Sequence, residues 1–218
     1  MNIPPVILNA SARHTATLVF LHGLGDTGLG WAGALNTIKP DFLKVICPTA
    51  PMLPVTINGG AAMPAWYDIT SLDEKDEKRE DSAGVDWAVD YLMNIVKGEE
   101  KHGIQADRVM IGGFSQGGAV SLRATLTSEN QLAGCVALSC YLPGNISALK
   151  KRIVDTPVFQ AHGDSDSVVS FARGAATSSI VKSMAGNHKF VTYPGMGHEA
   201  TPAELEDIKK FLLETFKQ

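Results

Sequence analysis

Val109-Met110-Ile111-Gly112-Gly113-Phe114-Ser115-Gln116-Gly117-Gly118-Ala119-Val120-Ser121-Leu122 runs from an apolar, strand-like segment through a glycine-bracketed serine into small residues that can build a helix. A serine stands at the tip of so sharp a strand-to-helix turn only if the residues two before and two after it lack side chains, because the two backbones crowd there. Gly113 and Gly117 meet that demand, and the segment reads as a nucleophile elbow. The helix that follows directs its N-terminal N–H groups and positive dipole end at charge developing beside Ser115. A bare G-x-S-x-G match is expected by chance in roughly one such glycine-rich chain in eight, so the flanking segments must decide between a nucleophile and a serine that merely caps the next helix.

On both sides of the elbow, strand-like and helix-like patterns alternate. Ala16 to Leu21 is a short apolar run followed by Gly23 and Gly25 and by a helical pattern through Trp31, Leu35 and Ile38. Val45-Ile46-Cys47 reads as a strand closed by Pro48. Residues 80 to 97 place Val85, Ala88, Val89, Leu92, Ile95 and Val96 at helical spacing. Cys135 to Leu138, Val158 to Ala161 and Lys189 to Tyr193 are further strands, with a helix over Phe171 to Met184. Thr201-Pro202-Ala203-Glu204 is a capping box with Pro at the first helical position, opening a last helix through Leu205, Ile208, Phe211 and Leu212. Continuous apolar strands separated by helices predict an α/β fold with a mostly parallel central sheet covered on both faces. Two segments interrupt the pattern. Residues 48 to 66 form a proline- and glycine-punctuated apolar loop, expected to pack on the body or to wall a binding site. Asp73 to Asp81 is a mixed-charge run expected to be a solvated loop.

The 218 residues are 44% hydrophobic and 19% charged, enough for a single domain over 1–218 with a full core. A net charge of −4 argues against nucleic acid as a partner. Cys47, Cys135 and Cys140 lack metal-ligand or C-x-x-C spacing and read as buried reduced thiols of a cytoplasmic protein. Met1-Asn2-Ile3-Pro4-Pro5 has no signal-peptide pattern, and no apolar run approaches the ~18 residues of a membrane span.

A serine hydroxyl needs a base, a group to orient the base, and donors for the oxyanion. On strand-loop hydrolase scaffolds these follow in the order Ser, then Asp or Glu, then His. After the strand Val158 to Ala161, His162-Gly163-Asp164-Ser165-Asp166 offers two carboxylates. Asp166 holds the usual position of the acid, and Asp164 lies inside the turn, where a carboxylate tends to bind backbone N–H groups. The last strand runs into Tyr193-Pro194-Gly195-Met196-Gly197-His198, which makes His198 the base. His162 reads as a loop-positioning residue. The oxyanion donors are expected to be the Gln116 N–H and, on the loop His22-Gly23-Leu24-Gly25-Asp26, the Leu24 N–H. Asp26, before Thr27 and Gly28, reads as a helix cap.

Taken together, Leu21 to Gly28, Pro48-Thr49-Ala50-Pro51, Met63 to Asp68, Gly112 to Gly118, Leu138 to Pro143 and His162-Gly163-Asp164-x-Asp166 resemble the signatures of the acyl-protein thioesterase and lysophospholipase branch of the α/β-hydrolases. The resemblance covers nearly the whole chain. It implies an α/β-hydrolase fold without a separate cap domain, no metal or cofactor, and hydrolysis of long-chain acyl thioesters on S-acylated proteins, of lysophospholipids and of simpler esters. It also implies an apolar acyl groove beside the serine, with Leu53, Val55, Ile57, Met63, Trp66, Tyr141 and Val168 as candidate walls, although such residues equally serve as core packing. Two departures stand out. Ser167-Val168-Val169-Ser170 replaces the Pro, Leu, Val and Pro of many relatives, and Asn2 replaces an acylatable cysteine, so membrane-surface contact is expected to be transient. A weak homodimer through the apolar loop stays open. Two other readings remain: a general short-chain carboxylesterase, and a lipid-binding protein that keeps the fold without catalysis.

Overall fold

The computed structural model describes residues 3–71, 80–146, 149 and 155–217. The expected charged loop therefore lies outside the described residues, apart from Glu80 and Asp81. Among the described residues a seven-stranded sheet runs in the order β1 (Val6–Leu8), β3 (Leu43–Cys47), β2 (Ala16–Leu21), β6 (Val109–Phe114), β7 (Gly134–Leu138), β8 (Val158–Gly163) and β9 (His188–Tyr193). Every neighbouring pair is parallel except the edge strand β1, which runs antiparallel to β3.

Strand alternation sorts the apolar residues onto two faces. Leu18 and Phe20 of β2 pack with Trp31, Leu35 and Ile38 of α1 (Gly28–Ile38) and with Ile208 and Leu212 of α5 (Pro202–Thr215). Val19 and Leu21 face the other way, onto Val85, Leu92 and Val96 of α2 (Ser82–Lys101) and Val120 and Ala124 of α3 (Gln116–Thr127). On that second face, α4 (Phe171–Met184) adds Val181 and Met184 against β7. The central strands are buried on both sides, which is why they read as continuous apolar runs. This is the layered sheet expected for an α/β-hydrolase.

Residues 48 to 66 correct one expectation. They are not a loop throughout: Met52–Val55 (β4) and Ala61–Pro64 (β5) pair as an antiparallel hairpin, with Leu53 opposite Met63. Gly59 and Gly60 at its turn both have positive φ, and Pro54 and Pro64 are tolerated because a two-stranded ribbon has outer edges that need no N–H donor. A second correction concerns the last helix. Thr201 accepts from the Glu204 N–H at 3.3 Å, but the Glu204 carboxylate does not return the bond that would complete the capping box. It is fully buried, and neither oxygen has a hydrogen-bond partner among the described residues. Thr27, not Asp26, is the N-cap residue of α1, and the Asp26 carboxylate accepts from the Thr27 N–H at 2.7 Å.

Burial of the Glu204 carboxyl pushes its pKa from the ordinary 4.5 to about 8. Between those values the unfolded chain releases this proton while the folded protein keeps it, so stability falls as pH rises through the window and levels off above about pH 8. Glu204→Gln removes that titration. Urea denaturation should show the variant gaining on the parent from pH 5 to pH 8, and a difference that stays constant across that range would contradict the burial of an unpaired carboxyl.

Candidate active site

The C-terminal ends of five parallel strands supply the site, as expected for an open α/β sheet. β6 delivers Ser115 with φ of 53° and ψ of −119°, a positive-φ conformation rare outside glycine. The turn is closed by the Ser115 N–H donating to the Leu138 carbonyl at 2.8 Å and by the Ala119 N–H donating to the Ser115 carbonyl at 2.9 Å. A Cβ on Gly113 would run into the Gly117 backbone, and one on Gly117 into the Leu21 and His22 carbonyls. The Ser115 hydroxyl makes no cap bond to its helix. It lies 2.9 Å from His198 Nε2 instead, which removes the capping alternative.

His198 Nδ1 donates to Asp166 Oδ2 at 2.7 Å, and its ring packs on Phe114 with centroids 4.8 Å apart. Asp166 is buried and its other oxygen accepts from the Val168 and Val169 N–H groups at 2.8 and 2.9 Å. So many donors fix the rotamer of the carboxylate. Asp164 does something different. Its Oδ1 accepts from the Gly195 N–H at 2.7 Å, tying the β8 loop to the loop that carries His198. His162 is fully buried, and its Nε2 donates to the Val169 carbonyl at 2.9 Å and lies 3.4 Å from Asp166 Oδ2. Burial lowers its pKa, so it stands behind the acid as a neutral donor.

Leu24 and Gln116 both face the cavity beside Ser115. The Gln116 side chain is committed elsewhere, its Oε1 accepting from the Trp66 N–H and its Nε2 donating to the Tyr67 carbonyl, both at 2.8 Å. The Leu24 loop is held by the Gly25 N–H on the Pro64 carbonyl at 2.8 Å and by His22. His22 Nδ1 donates to the Gly23 carbonyl at 2.7 Å and Nε2 accepts from the Ala50 N–H at 2.9 Å. That pairing requires a neutral ring, in keeping with a pKa lowered by burial. The motif showed His22, but its clamping role needed the structure, because the partner Ala50 lies 28 residues away.

A cavity of about 400 Å³ opens on Ser115, within the size range of ligand pockets. Of the seven expected wall residues, Ile57, Tyr141 and Val168 line it. Leu53, Val55, Met63 and Trp66 do not. Val55 and Trp66 are fully buried, the Trp66 indole N–H donating to the His22 carbonyl at 2.9 Å. Met63 lies behind the Leu24 loop, its sulfur 3.3 Å from Asn58 Nδ2. Trp31, Ile69, Phe114, Val169 and Arg173 were not expected and do line the cavity. A larger groove of about 590 Å³ between α2 and α3 is walled by Asp86, Asp90, Lys97 and Arg123 and contains none of the residues just described. The three cysteines are buried free thiols, and burial raises Cys47 and Cys135 to about 12, far from a reactive thiolate. Among the described residues no three His, Cys, Asp or Glu side chains gather into a possible metal site, and no helix is long and apolar enough to cross a membrane.

Comparison with known proteins bears directly on this site. Residues 2–216 match the family model described as phospholipase/carboxylesterase. Acyl-protein thioesterase 1 of Neurospora crassa is 46% identical over 97% of this chain and 91% of its own length. The protein of the same name from Cryptococcus neoformans is 38% identical over 96% of both. Among solved structures, acyl-protein thioesterase 2 of Zea mays superimposes with a TM-score of 0.85 at 29% identity, covering 97% of this chain and 98% of that one. SOBER1 of Arabidopsis thaliana gives 0.85 at 31% identity, over 93% of this chain and all of that one.

The two aspartates should separate under labelling by a fluorophosphonate, followed by mass spectrometry of the Ser115 peptide. Asp166→Asn replaces the carboxylate that fixes the tautomer of His198 with an amide and should slow labelling by roughly 10³ to 10⁴, the scale of a lost orienting acid. Asp164→Asn should change the rate by less than about tenfold, the smaller effect expected of a residue that only ties two loops together. The reverse order would reassign the acid.

Proposed function

The chain belongs to the phospholipase/carboxylesterase family of α/β-hydrolases and is an ester and thioester hydrolase, and we propose that it releases long-chain acyl groups from S-acylated proteins and lysophospholipids through Ser115, His198 and Asp166. The observation that carries this reading is the unbroken chain of contacts, 2.9 Å from Ser115 to His198 and 2.7 Å from His198 to Asp166, at the mouth of a largely apolar cavity. Relatives named acyl-protein thioesterase support the thioester substrate.

In this mechanism Ser115 Oγ attacks the acyl carbonyl carbon while its proton passes to His198 Nε2. The carbonyl π electrons move onto oxygen, and the Leu24 and Gln116 N–H groups donate hydrogen bonds to that oxyanion. Asp166 keeps the Nδ1 proton of His198 in place and stabilises the imidazolium. Collapse of the tetrahedral adduct expels the cysteine thiolate or the glycerol alkoxide, which takes the proton from His198. Water then repeats the sequence on the Ser115 acyl ester and releases the fatty acid. The half-exposed Val168 at the cavity wall gives the lipid surface a transient foothold, in keeping with a substrate drawn from a membrane.

Ser115→Ala should fold like the parent and lose roughly 10³ to 10⁶ in rate. With thioesters of equal head group, octanoyl and palmitoyl should be cleaved with higher kcat/KM than acetyl. An acetyl preference would make the protein a short-chain carboxylesterase instead, and full turnover by Ser115→Ala would remove the nucleophile assignment.

A further inference from the structure

The cavity beside Ser115 is lined by the apolar side chains of Ile57, Ile69, Val168 and Val169, and also by a cation. Arg173, on the first turn of α4, is the one guanidinium or ammonium among the described lining residues. Its side chain is 11% exposed and is fixed in place rather than free to swing into solvent. Nη2 donates to Glu80 Oε1 at 2.9 Å, and the guanidinium carbon lies 3.2 Å above the centroid of the Tyr141 ring. Glu80 is itself buried and accepts the Gly144 N–H at 2.8 Å through its second oxygen. The backbone of Glu80 bridges to Ile69, whose carbonyl accepts from the Ile57 N–H at 2.9 Å, and the Tyr141 hydroxyl meets that of Tyr67 at 2.9 Å. The ion pair is thus built into the same wall as the apolar residues, and Arg173 Nε is buried there with no acceptor among the described residues.

A methylene chain can satisfy neither a guanidinium donor nor a carboxylate, and pushing one against them forfeits solvation without return. Resting on the reading of this cavity as the acyl site, we infer that Arg173, held by Glu80 and Tyr141, is a specificity-determining residue that ends the apolar part of the acyl pocket. Methylenes between Ser115 and Arg173 gain burial. Those beyond turn back toward the cavity mouth and gain none. The rate should therefore climb with acyl length only until the chain reaches the guanidinium.

The test measures kcat/KM on a series of p-nitrophenyl esters from butyryl to palmitoyl. For the parent, the value should rise and then reach a plateau before palmitoyl. Arg173→Met alone removes the cation that Glu80 meets at 2.9 Å, so it is tested beside the double variant Arg173→Met with Glu80→Gln, which removes both charges and keeps an acceptor for the Gly144 N–H. In the double variant the plateau should move to longer chains and the palmitoyl-to-octanoyl ratio should rise about tenfold, the worth of roughly two buried methylenes. A ratio unchanged in a folded variant overturns the inference while leaving the acyl site intact. If the variants do not fold, the parent still decides, because a steady rise through palmitoyl overturns it. A parent that hydrolyses no member of the series fails at the earlier step, the proposed function itself.

Discussion

The site depends on one backbone constraint, the forced conformation of Ser115. A non-glycine residue at φ of 53° costs of order 1–3 kcal/mol and persists only where its surroundings leave no alternative. Here β6 is held between β2 and β7 by parallel ladders that run up to the turn, with Leu21 opposite Gly113 and Phe114 opposite Leu138. The Ser115 N–H continues the ladder onto the Leu138 carbonyl, and one residue later α3 begins. The chain reverses inside a fully hydrogen-bonded frame, so relaxing Ser115 would break strand pairing rather than swing a loop. The hydroxyl is thereby presented at the sheet edge where the β8 and β9 loops arrive with Asp166 and His198.

Three histidines near the site are told apart by their partners. His22 and His162 are buried, with pKa values lowered by desolvation, and each gives its one proton to a backbone carbonyl. They are fixed, neutral parts of the frame. His198 alone of the three bonds to both an acid and a hydroxyl, with a side chain 15% exposed. Burial and partner chemistry, not residue type, make one histidine suited to proton transfer and two suited to holding loops.

The residues that meet at Ser115, His198 and Asp166 were legible in the sequence because each is announced locally and in a fixed order. The elbow demands Gly113 and Gly117, the acid follows a buried strand in a Gly163-x-x-Asp turn, and the base sits on a glycine-rich loop before a capped helix. The cavity walls were not legible in that way. Apolar composition says that Leu53, Val55 and Met63 avoid water, but not which side of a hairpin they occupy, and the hairpin itself was hidden by prolines that its outer edges tolerate. Ile69 comes from a segment about a hundred residues before Val169 and Arg173, and they meet at the cavity only in three dimensions. Glu204 carried a true cap signal in Thr201 and a false one in its own side chain, since no local pattern distinguishes a glutamate that reaches back to the cap from one that is buried.

Trp66 shows how a residue mistaken for a wall can matter more as a brace. Its indole N–H holds the His22 carbonyl, its backbone N–H holds Gln116 Oε1, and the next carbonyl, of Tyr67, holds Gln116 Nε2. Leu24 is two residues from His22, so the Leu24 loop and Gln116 are both tied to one two-residue strap, through hydrogen bonds worth about 1 kcal/mol each in net stability. Their larger effect is on geometry. Donors aimed at a developing charge help only if they need not reorganise when it appears, and a common strap keeps the Leu24 and Gln116 N–H groups at a fixed separation. The same strap leads into the Tyr67 hydroxyl and from there to Tyr141 on the cavity wall. The Leu24 loop, Gln116 and the Tyr141 wall of the cavity are therefore braced by one piece of chain and share a single frame of reference.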